Sequence, residues 1–296
     1  MSSIFNFPAP AKINLTLRIT GRRSDGFHDL DSIFCPLTLH DTVTLDTADC
    51  APGDGPFTCE LSCSDESLPV DDTNLAIRAA HLFNRNYPLT GSLRVHLEKR
   101  IPHGAGLGGG SSNAATVLTG LNQLFHAEFD EDALVDLAAE LGSDVPFFIR
   151  GTATRCLGRG EILGVEVPLP SLPILLVKPP FPVPTPWAYQ RFAAMKANGF
   201  PENAEQQLAW TELVNDLEPP VHGKFLVLAE LKAWWLDQPE VEGALLSGSG
   251  STTFAVLHEE ADGEALRRRT LERFGPEWWS WLGAVAINEE VYSEEE

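Results

Sequence analysis

The chain is 296 residues long and 43% hydrophobic, and 21 basic against 42 acidic side chains give it a formal charge of −21. That length allows one large domain or two ordinary ones, and no run nears the roughly 20 apolar residues of a membrane span. Residues 1–6 lack a basic n-region and a signal-type apolar core, so a cytoplasmic protein off the membrane is expected, and a surface with only six lysines argues against nucleic acid as a partner.

The acidic, lysine-poor surface fits either a salty cytoplasm, whose ions screen self-repulsion, or ordinary solubility. Residues 288–296 read as a solvated acidic tail. The five cysteines, Cys35, Cys50, Cys59, Cys63 and Cys156, are odd in number and contain no Cys-x-x-Cys pair. Reduced thiols fit better than a zinc site, with a redox role left open for Cys59 and Cys63.

Residues 4–20 alternate, with Ile13, Leu15, Leu17 and Ile19 on one face and Asn14, Thr16 and Arg18 on the other, and predict a strand. A polar turn follows over 21–28. Residues 33–45 predict a strand pair broken by Pro36 and by a turn at His40-Asp41. The loop-rich stretch 46–69 holds one short strand near 57–62. Asp71-Asp72-Thr73-Asn74 caps a helix over 75–86, and 93–97 is a strand. After a glycine run, a helix covers 114–124. Another, over 130–141, opens on three acids that suit the positive end of the helix dipole and stops at Gly142. Residues 151–162 return to β-like sequence, with turns at Gly158 and Gly160.

Residues 172–178 predict a strand. The prolines of 179–186 then impose a stiff, extended backbone, which could also serve as a ligand for a proline-binding module. Helices are expected over 187–197, 205–214, 225–236 and 261–274, with strands over 243–246, 254–257 and 283–287. A second small-residue turn, Ser247-Gly248-Ser249-Gly250-Ser251, lies between the first two of these strands. Strands and helices mix without regular βαβ alternation or internal repeat, so the class is α+β, with a boundary near residue 160.

The most informative stretch is Pro102-His103-Gly104-Ala105-Gly106-Leu107-Gly108-Gly109-Gly110-Ser111-Ser112, in which five glycines fall within seven positions. A glycine-rich turn feeding a helix start aims several free N–H groups at one spot, where the dipole also favours negative charge. A polyphosphate fits there. A Walker loop is excluded, because no lysine follows the glycines. Gly104, Gly106 and Gly109 satisfy G-x-G-x-x-G literally, but Pro102 separates strand from loop and no repeated βαβ unit surrounds it, so a nicotinamide-binding oxidoreductase is the weaker reading.

The segment from Pro102 to Ala114 resembles the ATP loop of the GHMP kinases. Pro8-Ala9-Pro10-Ala11-Lys12-Ile13-Asn14-Leu15, Gly21-Arg22-Arg23-Ser24-Asp25-Gly26-Phe27-His28 and Gly142-Ser143-Asp144-Val145-Pro146 resemble, within that superfamily, the kinases of a cytidine diphosphate-linked sugar alcohol. Pro184-Thr185-Pro186 and Leu246-Ser247-Gly248-Ser249-Gly250 match later blocks in order. The resemblance spans about residues 8–257 and leaves out 47–70 and the tail. It implies a two-domain GHMP kinase fold, with an ATP-binding domain over 1–160, a C-terminal domain over 161–296 and the active site in the cleft between them. It also implies ATP and Mg²⁺ as cofactors, and phosphorylation of the 2-hydroxyl of 4-diphosphocytidyl-2-C-methyl-D-erythritol in non-mevalonate isoprenoid synthesis. A homoserine- or mevalonate-type alcohol kinase is the alternative, against which the Gly26-Phe27-His28 segment speaks.

On that resemblance Lys12 and Asp144 are the catalytic pair. Lys12, among apolar neighbours on a strand, is otherwise a snorkelling side chain. Asp144, past a helix end and before an apolar run, is placed to aim a carboxylate into a cleft; it accepts or orients the hydroxyl proton while Lys12 keeps it ionised. Phe27 and Tyr189 sandwich the cytosine and His28 bonds its polar edge, with Trp187 the alternative to Tyr189 and core packing the alternative for Phe27. The family often carries tyrosine at the Phe27 position. Asn14 and Thr185 are expected on substrate hydroxyl and phosphate. Asn74 and Leu75 match the adenine segment and Lys99 flanks the base, unless Asn74 merely caps its helix and Lys99 is a solvated strand end. The second glycine turn lines or shapes the cleft.

If salt adaptation shaped this surface, the melting temperature rises between low and molar KCl; an unchanged melting temperature leaves solubility as the reason.

Overall fold

The computed structural model describes residues 3–199 and 205–286. Two long strands open the chain, β1 (Ile4–Arg22) and β2 (His28–Pro52), paired antiparallel along nearly their whole length. β2 is continuous where two shorter strands were expected. Pro36 is tolerated because it stands opposite Lys12 just beyond a register shift, where the ladder is already irregular. Asp41 is not a turn residue: it lies fully buried within β2.

β3 (Phe57–Cys63), α1 (Leu75–Asn86) and β4 (Leu89–Glu98) form a parallel strand pair around a helix, and β4 lies antiparallel to β2. The expected cap holds, since Asn74 Oδ1 accepts from the Ala76 amide at 3.0 Å. α2 (Gly109–Phe125) begins inside the glycine run, five residues earlier than its alanines alone predict. α3 (Glu131–Leu141), capped by Asp130, leads into the short α4 (Val145–Arg150). These helices bury Ala114, Val117, Leu118, Leu121 and Phe147 in one core with Val43, Leu45 and Leu97 of the sheet.

β5 (Thr154–Gly158) pairs with β2, and β6 (Ile162–Glu166) with β5. β7 (Pro173–Lys178) follows, and the proline segment then enters α5 (Thr185–Ala197), where Pro186 sits in the first turn and needs no N–H bond. The helix expected over 205–214 is absent: β8 (Gln206–Gln207) and β9 (Glu212–Asn215) stand there instead. β9 runs parallel to β1, with Thr16 opposite Val214, while Arg18 bonds Glu205 at 2.6 Å and Glu212 at 2.9 Å. Pairing with a distant strand overrides local periodicity here. The chain continues through α6 (Glu218–His222), α7 (Leu226–Leu236), β10 (Val241–Leu246), β11 (Thr253–Leu257), α8 (Gly263–Phe274) and β12 (Trp279–Ala284).

Two sheets result. The first has the order β3-β4-β2-β1-β9-β8 with β5 and β6 attached, and the second is β10-β11-β7-β12. They share a core in which Ile13, Leu15 and Leu37 meet Ile174, Leu176, Leu245 and Phe254. The polar face of β1 is largely interior, with Asn14 1% and Thr16 4% exposed. The acidic tail and the end of the last expected strand, at Ile287, lie outside the described residues. Among the described residues no helix is long and apolar enough to cross a membrane.

Asp41 joins these parts. Its carboxylate accepts from the Arg100 and Ile101 amides at 2.7 and 2.9 Å, from Asn113 at 3.0 Å, and from the Lys99 ammonium. Replacing it by alanine strands a buried ammonium and two amides, so Asp41→Ala is expected to lower unfolding free energy by about 3–5 kcal/mol in urea titration.

Candidate active site

The register shift beside Lys12 frees its backbone amide from the strand ladder. That N–H donates to the Leu107 carbonyl at 2.9 Å, fastening β1 to the glycine loop. Gly104, Gly106 and Gly108 have φ of 62°, 79° and 74°, a left-handed conformation that suits glycine. The residues between them point inward, with Ala105 2% and Leu107 1% exposed. Every second residue is thus anchored in the core and every second one turns the backbone. Gly108 is the N-cap of α2 and supplies no side-chain cap, so amides of the first turn are left for a ligand. The Ser112 hydroxyl is fully buried in that turn and has no hydrogen-bond partner.

The loop therefore brings residues 102–112 together as one concave run into a helix, with His103 and Gly104 exposed at its tip. Leu75 lies beside Gly110, 4.0 Å from where a Cβ would stand. Asn74 is engaged at both ends of its amide, as the α1 cap and as a donor to the Pro69 carbonyl at 2.8 Å. Lys99 is no solvated strand end: its ammonium is tied to Asp41 and, at 2.8 Å, to Asn113 behind the loop. No βαβ unit surrounds the loop, because α2 leads to α3 rather than to a strand.

Lys12 is 4% exposed. Its ammonium donates to Asn14 Oδ1 at 2.8 Å, lies 3.6 Å from Asp144 Oδ2, and sits 4.8 Å from the centroid of the Phe34 ring. Asn14 is held by its own donation to Ser32 Oγ at 2.9 Å, and Ser32 in turn bonds the Thr16 carbonyl. The buried cation thus has an acceptor, a counter-ion and a π face. Asp144 occupies the N-cap position of α4 without bonding back to that helix, and its side chain is 34% exposed.

Asp144 also lines a cavity of about 730 Å³ with Phe27, His28, Arg159, Thr185 and Tyr189, a size suited to a small-molecule ligand. The rings of His28 and Tyr189 stack at 5.3 Å and 24°. Phe27 is 55% exposed, so it is not a core residue, and the Arg159 guanidinium covers its ring at 5.1 Å. Trp187 packs instead against Phe225 and Lys224, leaving Tyr189 as the aromatic residue of α5 at the cavity. Burial pushes the Tyr189 phenol well up, and Asp144 adds to the shift. Thr185 Oγ1 lies 2.8 Å from Ser249 Oγ.

Arg22, Ser143, Arg159 and Gln190 also line the cavity but were not singled out from the sequence. Arg159 had a signal, standing between Gly158 and Gly160 at φ of 70° and 119°. Burial pushes the Cys59 thiol up to about 12, away from the range of reactive thiolates. Among the described residues no three His, Cys, Asp or Glu side chains gather as a metal site.

A model of the GHMP kinases N terminal domain matches residues 74–152. The 4-diphosphocytidyl-2-C-methyl-D-erythritol kinase of Methylacidiphilum infernorum is 41% identical over 264 residues, 88% of each chain. A crystal structure of 4-(cytidine 5'-diphospho)-2C-methyl-D-erythritol kinase superposes with a TM-score of 0.70 at 34% identity, covering 96% of this chain and 100% of that one. Homoserine kinase from Cytophaga hutchinsonii, 17% identical, shares the fold with a TM-score of 0.66 over 97% of this chain and 96% of its own.

Burial, and then the Arg22 charge, lower the His28 pKa from its ordinary value. The unfolded chain therefore takes up this proton first, and the stability His28 lends is lost as pH falls below about 6.5 toward the folded midpoint. NMR titration of the His28 imidazole should give a midpoint below that value, and one at or above it would contradict the geometry.

Proposed function

The chain belongs to the 4-diphosphocytidyl-2-C-methyl-D-erythritol kinase family of the GHMP kinases, and we propose that it moves the γ-phosphoryl group of ATP onto the 2-hydroxyl of 4-diphosphocytidyl-2-C-methyl-D-erythritol. One observation carries this reading: the Lys12–Asp144 couple joins the glycine loop, through the Lys12 amide, to the aromatic cavity, through the Asp144 carboxylate.

The reaction needs a phosphate cradle, charge neutralisation, a positioned hydroxyl and a proton acceptor. The cradle is the loop over 102–112, with Leu75 and Asn74 toward the adenine. Lys99 acts from behind, holding Asp41 and Asn113 so that the start of α2 keeps its place. Mg²⁺ fits the buried Ser112 hydroxyl, which lacks a partner, and when bound it offsets charge on the β- and γ-phosphates.

The hydroxyl meets the γ-phosphorus in line. Asp144 takes its proton, and Lys12, 3.6 Å from that carboxylate, counters charge that grows on the transferring group. Asn14, fixed by Ser32, orients Lys12 and reaches the hydroxyls of the sugar alcohol. Cytosine packs between Phe27 and Tyr189 with His28 at its polar edge. Thr185 contacts the diphosphate, and Arg22 and Arg159 supply positive charge in an otherwise acidic molecule. We divide the chain at residues 160/161 into nucleotide and substrate domains, with β8 and β9 reaching back across that line, and place the enzyme in the cytosol, where its five free cysteines stay reduced.

A coupled ADP-release assay with Mg-ATP and 4-diphosphocytidyl-2-C-methyl-D-erythritol tests this reading, with homoserine and mevalonate as the competing acceptors; preference for either competitor would overturn it. Asp144→Asn is expected to lower kcat by roughly 100-fold or more while ATP still raises the melting temperature. Near-normal turnover in that variant would remove Asp144 from the role of base.

A further inference from the structure

The second glycine turn contacts both ligand regions. Ser247 Oγ donates to the Gly106 carbonyl of the phosphate loop at 3.0 Å, and the Thr252 amide donates to the Ala105 carbonyl at 3.3 Å. Gly106 has no room for a side chain, because a Cβ there would strike the Ser247 carbonyl. Two residues on, Ser249 is 7% exposed and shares its hydrogen bond with Thr185 at the start of α5. Ser251 Oγ donates to the Phe181 carbonyl at 2.6 Å, in the extended segment that leads into α5.

The turn is held firmly from behind. Asn215 Nδ2 donates to the Leu246 and Gly248 carbonyls, both at 2.7 Å, and Glu218 Oε1 accepts from the Leu246 amide at 3.0 Å. Alternate serines therefore reach forward from a braced turn, Ser247 to the nucleotide side, Ser249 and Ser251 to the substrate side.

We propose that Ser247 and Ser249 are positioning residues that couple the two sites, so that filling the cavity beside Thr185 tightens the hold of the glycine loop on ATP, and the reverse. Each ligand bears on one end of the turn. Because the turn is braced, a ligand that fixes the Ser249 end also fixes the Ser247 end, so the second ligand meets hydrogen bonds already set, which gives positive coupling without a large movement. Linkage makes the effect equal in both directions. This inference rests on the reading of Thr185 as a substrate contact.

The test is calorimetric titration of a non-hydrolysable ATP analogue, with Mg²⁺, into the full chain with and without saturating 4-diphosphocytidyl-2-C-methyl-D-erythritol. In the native chain the substrate should tighten analogue binding about fivefold or more. In Ser249→Ala that ratio should fall toward one and KM for the substrate should rise, while affinity for the analogue alone stays unchanged. Ser249→Thr, which keeps the hydroxyl, should restore the ratio, and Ser247→Ala should lose it from the other end. Thr185→Val cuts the same bond and gives the ratio from the opposite partner if Ser249→Ala does not fold. Failure of the native chain to bind the cytidylyl substrate would overturn the functional reading itself. Binding of both ligands with no mutual effect, or coupling that survives loss of the Ser249–Thr185 bond, would overturn only the link proposed here.

Discussion

One backbone hydrogen bond, from the Lys12 amide to the Leu107 carbonyl, ties the longest hairpin of the molecule to the loop that precedes α2. It exists because the β1–β2 register slips beside Lys12 and releases an amide the ladder would otherwise use. Leu107 can meet it only because the glycines on either side take positive φ while its side chain remains in the core. The irregular strand and the irregular loop complete each other. A regular strand at this point would leave the loop without its fastening and would aim the Lys12 ammonium elsewhere.

Electrostatics follow from that placement. An ammonium only 4% exposed is costly unless it is paired and hydrogen-bonded. Here Asn14, Asp144 and the Phe34 ring share the task. Asp144 keeps one side toward the cavity, so the carboxylate that compensates the lysine also faces that space. A second buried pair, Lys99 with Asp41, repeats the pattern behind the loop without access to the cavity. The two lysines therefore differ in what their counter-ions can reach.

Features set by local chemistry were legible in the sequence. Asn74 and Asp130 cap their helices through bonds two and three residues away, and the glycine loop carries a residue requirement at each positive φ. Features set by distant partners were not. Residues 205–214 carry a helical pattern, yet their partner is a strand nearly two hundred residues earlier. The continuity of β2 across Pro36 depends on an irregularity in the opposite strand, and the burial of Asp41 depends on groups some sixty residues away. At the site, the glycine loop carries its own signal, whereas Lys12 and Asp144 were singled out by family resemblance, and their 3.6 Å approach is set by the fold. The choice of Tyr189 over Trp187 needed the packing of Phe225. The second turn could be read as lining or shaping the cleft, but the partners its serines take on three other elements could not be read.

The late arrival of β9 beside β1 bears on biosynthesis. Thr16 and Leu17 pair with Val214 and Asn215, and Asp216 then closes the strand through bonds to Ile19 and Leu17. Apart from β8, which arrives with β9, the first sheet is complete in sequence by Glu166. At translation rates of about 5–20 residues per second, the ribosome leaves that strand edge open for roughly 2–10 s before its mate emerges. An exposed sheet edge is a template for wrong pairing. This one is only briefly unmatched, and Arg18, a charged side chain beside the gap, is of the kind that discourages unwanted neighbours during the wait.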